Sequence, residues 1–300
     1  MNYVAMDIGG SAIKAGIINS KGQVLKKTSI PTPMGCLDDL IDVLSGIVEW
    51  AIEETEINGI ALSQPCATDS VTGEALSEGS LIYIKDTNPS KILGEKFALP
   101  YAAANDGNCA ALAEVWIGNA KEVSNVALVV CGTGIGGSVL IDQKIVDGKN
   151  NFAGEFGMFV TGFDEDRNPV IWSANGSTKA LVDDYAKRSG KDSKSLDGKA
   201  VFSLSDAGDP VAMACVADFF KIFAYGVHDI QHAFDPDVIL VGGAISARPD
   251  FVACIDEALD VLYTQLRGLM SRPSLSVCAC GSDANMIGAV YHLLSTTNID

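Results

Sequence analysis

Tyr3-Val4-Ala5-Met6 is an apolar run closed by Asp7 and reads as a strand, Gly9-Gly10 turns, and Ile13–Ile18 and Val24–Ile30 read as second and third strands. Such a start predicts a β-hairpin opening and not a strand that feeds a helix. The period then changes. Leu37, Leu40, Ile41, Leu44, Ile47, Val48 and Ala51 recur at helical spacing and predict a helix over Leu37–Glu54. Gly59–Leu62 and Tyr101–Ala104 read as short buried strands, and Asn108–Trp116 as a helix ended by Gly118.

The opening pattern then returns. Val126–Val130 reads as a strand, Gly132–Gly137 as a glycine turn and Ser138–Asp142 as another strand. Both copies are strand, Gly-Gly-Ser turn, strand, which points to an internal duplication with a boundary around Asn105–Gly118. Beyond it, Ser177 is placed to cap a helix over Thr178–Arg188, and Asp209-Pro210 introduces a long one over Asp209–Phe234. A strand over Val238–Val241, a helix over Phe251–Leu266, a strand over Leu275–Ala279 and a helix over Ala284–Leu294 complete the chain. This alternation implies α/β layers, with sheets covered by helices.

A length of 300 residues suits two domains, and 48% hydrophobic with 20% charged residues allows a sizeable core. The net charge of −17, with no Lys/Arg cluster beyond Lys26-Lys27 and Lys187-Arg188, argues against nucleic acid and against an anionic membrane surface. It also means that any bound nucleotide needs local donors or a cation to offset like-charge repulsion. Met1–Gly10 has no basic n-region and carries Asp7 where a signal peptide is apolar. The longest uncharged run, Asn125–Ile141, has a glycine turn at its centre, so a soluble cytoplasmic protein is expected. Eight cysteines scattered through apolar segments read as small buried thiols, not as a disulfide framework.

Five motifs carry candidate chemistry. In Asp7-Ile8-Gly9-Gly10-Ser11-Ala12-Ile13-Lys14, the glycines let backbone N–H groups approach a phosphate, Ser11 adds a hydroxyl donor, Lys14 a cation, and Asp7 a partner for Mg²⁺ through water. Alone, this reading and an ordinary hairpin turn stand even. Gly132-Thr133-Gly134-Ile135-Gly136-Gly137 matches G-x-G-x-x-G, but that fingerprint must open a helix and here a strand follows. A second phosphate loop is the competing reading, and a positive φ at Gly134 is a further option. Asn105-Asp106-Gly107-Asn108 lies between strand and helix, where a carboxylate points out from a sheet end; capping by Asp106 or Asn108 is the bland alternative. Glu155, in Ala153-Gly154-Glu155-Phe156-Gly157, could accept paired O–H bonds from sugar hydroxyls or be a loop acid. Val238–Ala244 is a buried strand ending in Gly242-Gly243, on which an adenine or ribose could lie. Singly, the bland reading wins for the last three; the order and spacing of all five change those odds.

In these motifs, and most strongly from Ala104 to Gly157, the chain resembles the ROK family of bacterial sugar kinases, repressors and related proteins. Gly281-Ser282-Asp283-Ala284-Asn285-Met286-Ile287-Gly288-Ala289 echoes the family's usual ending. The resemblance implies a duplicated actin-like/hexokinase-like (ribonuclease H-like) two-domain ATPase fold of the α/β class. Its first domain would span 1–110, completed by the C-terminal helix 284–300, and its second 111–283. Carried over residue by residue, it makes Asp106 the catalytic base and Asn105 and Glu155 sugar contacts. Gly9, Gly10, Ser11 and Lys14 match the first phosphate loop, Gly132, Thr133 and Gly134 the second, and Gly242 and Gly243 the adenosine site.

The departures are informative. Zinc-containing members carry a His after the glycine that is here Gly157, where this chain has Met158, and a cysteine cluster downstream, whereas Asp164–Asn175 holds no cysteine. Zinc is therefore not expected, and a second sugar-contacting glutamate cannot be assigned. His228 and His232, four apart on a helix, lack a third metal ligand and read as helix surface. Trp172–Ser177 after the Glu155 loop resembles the branch of β-glucoside kinases and proteins described as N-acetylmannosamine kinases. The family's Pro-Gly in the sugar loop is here Pro65-Cys66. The resemblance thus implies an ATP- and Mg²⁺-dependent sugar kinase, expected as a homodimer, acting on a hexose or β-glucoside hydroxyl, the 6-OH for preference, with domain closure excluding water. A repressor would need an N-terminal helix-turn-helix, and a nicotinamide enzyme a helix after Gly137. A non-catalytic sugar sensor of the same family is the alternative.

Overall fold

The computed structural model describes residues 1–267 and 271–297. In chain order its first elements are β1 (Asn2–Ile8), β2 (Ala12–Asn19), β3 (Val24–Pro31), α1 (Leu37–Glu54) and β4 (Ile60–Gln64). Then come α2 (Pro89–Phe97), β5 (Tyr101–Asn105), α3 (Asp106–Trp116), β6 (Val126–Cys131), β7 (Ile135–Ile141) and β8 (Lys144–Ile145). A small hairpin of β9 (Val160–Phe163) and β10 (Pro169–Ile171) leads to α4 (Trp172–Asn175), α5 (Thr178–Ser189), α6 (Gly198–Asp206) and α7 (Pro210–Phe234). The last elements are β11 (Val238–Gly242), α8 (Phe251–Leu266), β12 (Leu275–Val277) and α9 (Ala284–Thr296).

The chain forms two compact units, one of residues 1–122, 143–153 and 279–300, the other of 123–142 and 154–278. In the first, the sheet order is β3-β2-β1-β4-β5, with β1–β2 and β2–β3 antiparallel and β1–β4 and β4–β5 parallel. Val4, Met6 and Ile8 of β1 meet Leu40, Leu44, Ile47 and Val48 of α1 in its core. These α1 residues are those the periodicity assigned to the inner face, because a helix that covers a sheet must present one apolar stripe to it.

Within the second unit the strands run β12-β11-β6-β7, again with an antiparallel hairpin (β6–β7) and two parallel neighbours (β6–β11, β11–β12). This is the β5-β4-β1-β2 pattern repeated, so the duplication legible in the glycine turns extends to sheet topology. α7 is long and apolar enough by composition to cross a membrane. In this fold its Phe219, Phe220 and Phe223 instead pack on Phe202 of α6 and Phe251 of α8, with the Phe220 and Phe251 centroids 5.4 Å apart.

The structure moves several expected boundaries: α3 begins at Asp106 and not at Asn108, and β12 ends at Val277 and not at Ala279. The division expected at 110/111 falls inside α3, which belongs entirely to the first unit. Glu114, fully buried on α3, accepts N–H bonds from Ala279 and Cys280 at 2.8 Å through one oxygen and from Asn119 at 2.9 Å through the other. It thus ties the end of α3 to the segment that leads into α9, and a buried carboxylate needs that many donors. The strand expected from Ser138 begins at Ile135, so Gly136 and Gly137 are strand residues. The final helix ends at Thr296, and residues 298–300 of its expected range lie outside the described residues.

Candidate active site

The parallel strands β1, β4 and β5 end side by side, and ligands of α/β sheets bind outside such carboxyl ends. Cross-strand register puts Lys14, Asp7 and Ser63 in one row over β2, β1 and β4. Asp7 is 8% exposed. Its Oδ1 accepts from Ser63 Oγ at 3.0 Å and from Asn285 Nδ2 at 3.0 Å, while Lys14 Nζ stands 3.7 Å from Oδ2. The cation expected to face a phosphate is therefore already paired in part with the carboxylate expected to hold the metal. The turn after β1 is closed by Gly9 N–H donating to the Ala12 carbonyl at 3.1 Å and by Thr32, whose hydroxyl donates to the Gly9 carbonyl at 2.6 Å. Gly9 and Gly10 are half-buried there, and Ser11 is exposed at the tip.

At the end of β5, Asn105 caps α3. Its Oδ1 accepts from Gly107 N at 2.9 Å and Asn108 N at 3.2 Å, and its Nδ2 donates to the Cys66 carbonyl at 3.1 Å. The cap weighed for Asp106 or Asn108 thus belongs to Asn105, because its side chain alone starts from the extended residue that precedes the first turn. Asp106 is the first helical residue, half-buried, with Oδ1 accepting from Gly107 N at 2.8 Å, at the positive end of the helix dipole. Burial above all, with the Asp106 charge adding to it against the Thr68 hydroxyl, pushes the Cys66 thiol up to about 11. Cys109 lies within reach of both the Asp7 and Asp106 charges; burial first and then those charges hold its thiol far above the ordinary value. Neither thiol is therefore a nucleophile at neutral pH.

In the second unit the β6–β7 turn is held by Gly132 N–H donating to the Gly134 carbonyl at 2.9 Å. Thr178 N–H donates to the Gly132 carbonyl at 2.9 Å, and the Ser173 hydroxyl brackets Ile135, accepting its N–H at 2.9 Å. Gly134 does not take a positive φ. A Cβ on Gly132 would meet nothing within 4 Å, and one on Gly134 only Ser173, with Oγ at 3.4 Å. The protein's own packing does not require these two glycines. Gly243 is the opposite case, with φ +98° and a Cβ that would stand 2.1 Å from the Cys131 carbonyl oxygen. It is required by the approach of β11 to β6 whatever it binds, and with Gly242 it delivers Ala244 to a cleft of about 460 Å³. Gly132, Thr133, Thr178, Lys179 and Lys194 also line that cleft. Glu155 is half-buried at the start of the short 3₁₀ turn Phe156–Met158, and burial pushes its carboxyl above the ordinary value.

A family model described as the ROK family matches residues 3–295. The chain belongs to the ROK family. It is 33% identical over 296 residues to a β-glucoside kinase of Klebsiella pneumoniae, covering 97% of this chain and 96% of that one. Among solved structures it is similar to a ROK family protein from Streptococcus pneumoniae in complex with sucrose, at 31% identity and TM-score 0.89, covering 99% of each chain. A ROK hexokinase from Thermus thermophilus matches with 25% identity and TM-score 0.83 over 99% of this chain and 100% of that one. These neighbours carry the actin-like/hexokinase-like architecture, which is the fold of this chain.

In this ROK protein the first unit gathers Asp7, Gly9, Gly10, Ser11, Lys14, Asn105 and Asp106 toward the carboxyl end of its parallel strands. The second holds Gly132, Thr133, Gly134, Glu155, Gly242 and Gly243. Met158 is 64% exposed, and among the described residues no group of three His, Cys, Asp or Glu could hold a metal ion. A single buried carboxylate does suit Mg²⁺, which takes one or two carboxylates and completes its shell with water and phosphate oxygens. His232 Nδ1 lies 2.9 Å from the His228 carbonyl, and burial, with the neighbouring His232, holds His228 below its ordinary value. Sequence pattern alone did not single out Ser63, Asn285, Ser173 or Thr178. Ser63 had a signal, as a polar residue inside a short buried strand; Asn285 lies inside the C-terminal motif Gly281–Ala289.

Proposed function

We propose that this protein transfers the γ-phosphoryl group of ATP to a sugar hydroxyl, the 6-OH of a hexose unit, with β-glucosides as the first acceptors to try. The coarser assignment, a carbohydrate kinase, rests on relatives named as kinases that match nearly end to end. One observation supports the residue-level reading most. Asp106 stands at the end of β5 and the start of α3, outside the carboxyl ends of the parallel strands, and the N-cap itself is Asn105, with Asp106 Oδ1 accepting the Gly107 N–H in that turn.

In this reading Asp106 accepts the proton of the attacking hydroxyl as general base. Asn105 and Glu155 hold other hydroxyls of the sugar. Asn105 has its oxygen committed to two N–H groups, so it can offer an acceptor only its remaining amide hydrogen. The Gly132–Gly134 turn, which has room where side chains would otherwise be, receives the phosphates through backbone N–H groups, with Gly9–Ser11 and Lys14 as further donors. Mg²⁺ bound to the nucleotide would neutralise charge on the phosphate oxygens, with Asp7 holding it through water. The cleft beside Ala244 takes the adenosine. The working assembly is a cytoplasmic homodimer, and light scattering of the purified protein checks the dimer.

The test is coupled ADP release over a panel of hexoses, N-acetylhexosamines and β-glucosides with Mg·ATP. Sugar-dependent ADP release with at least one of them is expected. Sugar binding by calorimetry with no ADP release from any would instead identify a sensor.

A further inference from the structure

Asn285 is the second residue of α9, two positions past the N-cap Asp283 where asparagine would cap the helix, and α9 has no side-chain cap. Its amide reaches across 278 positions of sequence to donate to Asp7 Oδ1 at 3.0 Å. Ser63, fully buried on β4, donates to the same oxygen at 3.0 Å. A carboxylate oxygen offers about two lone-pair sites, so both are filled at Oδ1. The other oxygen, Oδ2, has Lys14 Nζ at 3.7 Å, a half-exposed ammonium beyond hydrogen-bond reach. The torsion that turns a carboxylate is broad and roughly two-fold. Without donors on one oxygen, Asp7 would present either oxygen at a range of angles. With them, one oxygen and one direction are selected before any ligand arrives.

We propose that Asn285 is a positioning residue for the metal-linked part of the reaction: with Ser63 it fixes the Asp7 carboxylate so that Oδ2 is the oxygen that accepts from metal-bound water. The proposal rests on the reading of Asp7 as the carboxylate that holds Mg²⁺ through water. It assigns the C-terminal helix a chemical task beyond covering the sheet, and it assigns Lys14 a second one, balancing the charge of Oδ2 while no metal is present.

The experiment is calorimetric titration with a non-hydrolysable ATP analogue, once with Mg²⁺ and once in EDTA, for wild type, Asn285→Ala and Ser63→Ala. Thermal melting selects variants that fold. Wild type should bind the magnesium complex more tightly than the metal-free analogue. Each variant should lose about tenfold to a hundredfold of that advantage, the worth of one hydrogen bond to a charged group, while its metal-free affinity stays within about twofold of wild type. A folded variant that keeps the whole advantage, or that loses both affinities equally, overturns the proposal, since a merely structural residue would behave so. If wild type itself shows no magnesium advantage, the role of Asp7 is wrong as well, and that outcome is read from wild type alone. If Asn285→Ala does not fold, Ser63→Ala carries the test, because trimming one hydroxyl leaves the β4 backbone pairing intact.

Discussion

Glu155 joins chemistry to a cost in stability. Burial holds its carboxyl above the ordinary value, so the folded protein binds that proton more tightly than the unfolded chain does. Its contribution is therefore favourable at low pH and is lost as pH rises through the folded value; at neutral pH the ionised side chain weakens the fold. Glu155→Gln should leave Tm at about pH 7.5 unchanged or slightly raised, with the difference shrinking toward about pH 4, while sugar affinity falls by about tenfold or more. Thermal melts across pH together with calorimetric sugar titration check both halves. A variant that melts well below wild type near neutral pH would mean that Glu155 holds its loop together instead. Asn105 is instructive in another way. Its sequence setting, Asn-Asp-Gly-Asn, suggests Asp106 or Asn108 as the cap, and backbone geometry gives the role to Asn105 instead. Spacing could place the cap within three residues but could not choose the residue.

At the scale of elements, two glycine turns that look alike in sequence differ physically. Gly134→Val places its Cβ in open space beside Ser173 at an ordinary φ, so the fold should survive. A β-branched side chain there should still block close approach of a phosphate, weakening ATP binding by about tenfold or more with sugar affinity kept. Gly243→Ala should instead lower Tm by roughly 5 °C or more, since its Cβ would collide with the Cys131 carbonyl at a left-handed φ. Equal losses of ATP and sugar affinity in a folded Gly134→Val would reject the phosphate role. The hairpins were legible as apolar runs broken by glycine, and the long amphipathic helices because their periods are unbroken; α1 and α8 have the bounds that periodicity gave them. α2 and α6 were missed because nine residues carry barely two turns of pattern. The start of β7 was misplaced because Gly136-Gly137 reads as a turn, although in the sheet Gly137 makes room for the Phe156 ring, which a Cβ there would approach to 2.3 Å.

At the scale of the molecule, a net charge of −17 sets the terms on which a polyanionic nucleotide can bind. Lys14 is shared with Asp7 and Lys179 with Asp183, so beside Lys194, the other lysine of the cleft, neutralisation falls to backbone N–H groups and to Mg²⁺. Activity should therefore need Mg²⁺ and persist in protein purified without added zinc. Metal analysis of the active protein should find zinc far below one per chain, and stoichiometric zinc whose removal abolishes turnover would contradict this. The duplicated sheets follow from the repeated hairpin, but the unit boundary did not, because Glu114 binds α3 to residues 279 and 280 through contacts that no local pattern announces. In the proposed mechanism everything turns on Asp106 as the base for transfer to a sugar. The most direct measurement is kcat of Asp106→Asn in the ADP-release assay with saturating ATP and the best acceptor, with sugar affinity measured alongside. Proton transfer by a placed base is worth ~10²–10⁴-fold. A loss of that size with sugar binding retained is the predicted result; a folded variant with near-normal kcat would reduce Asp106 to part of a helix start and contradict the mechanism.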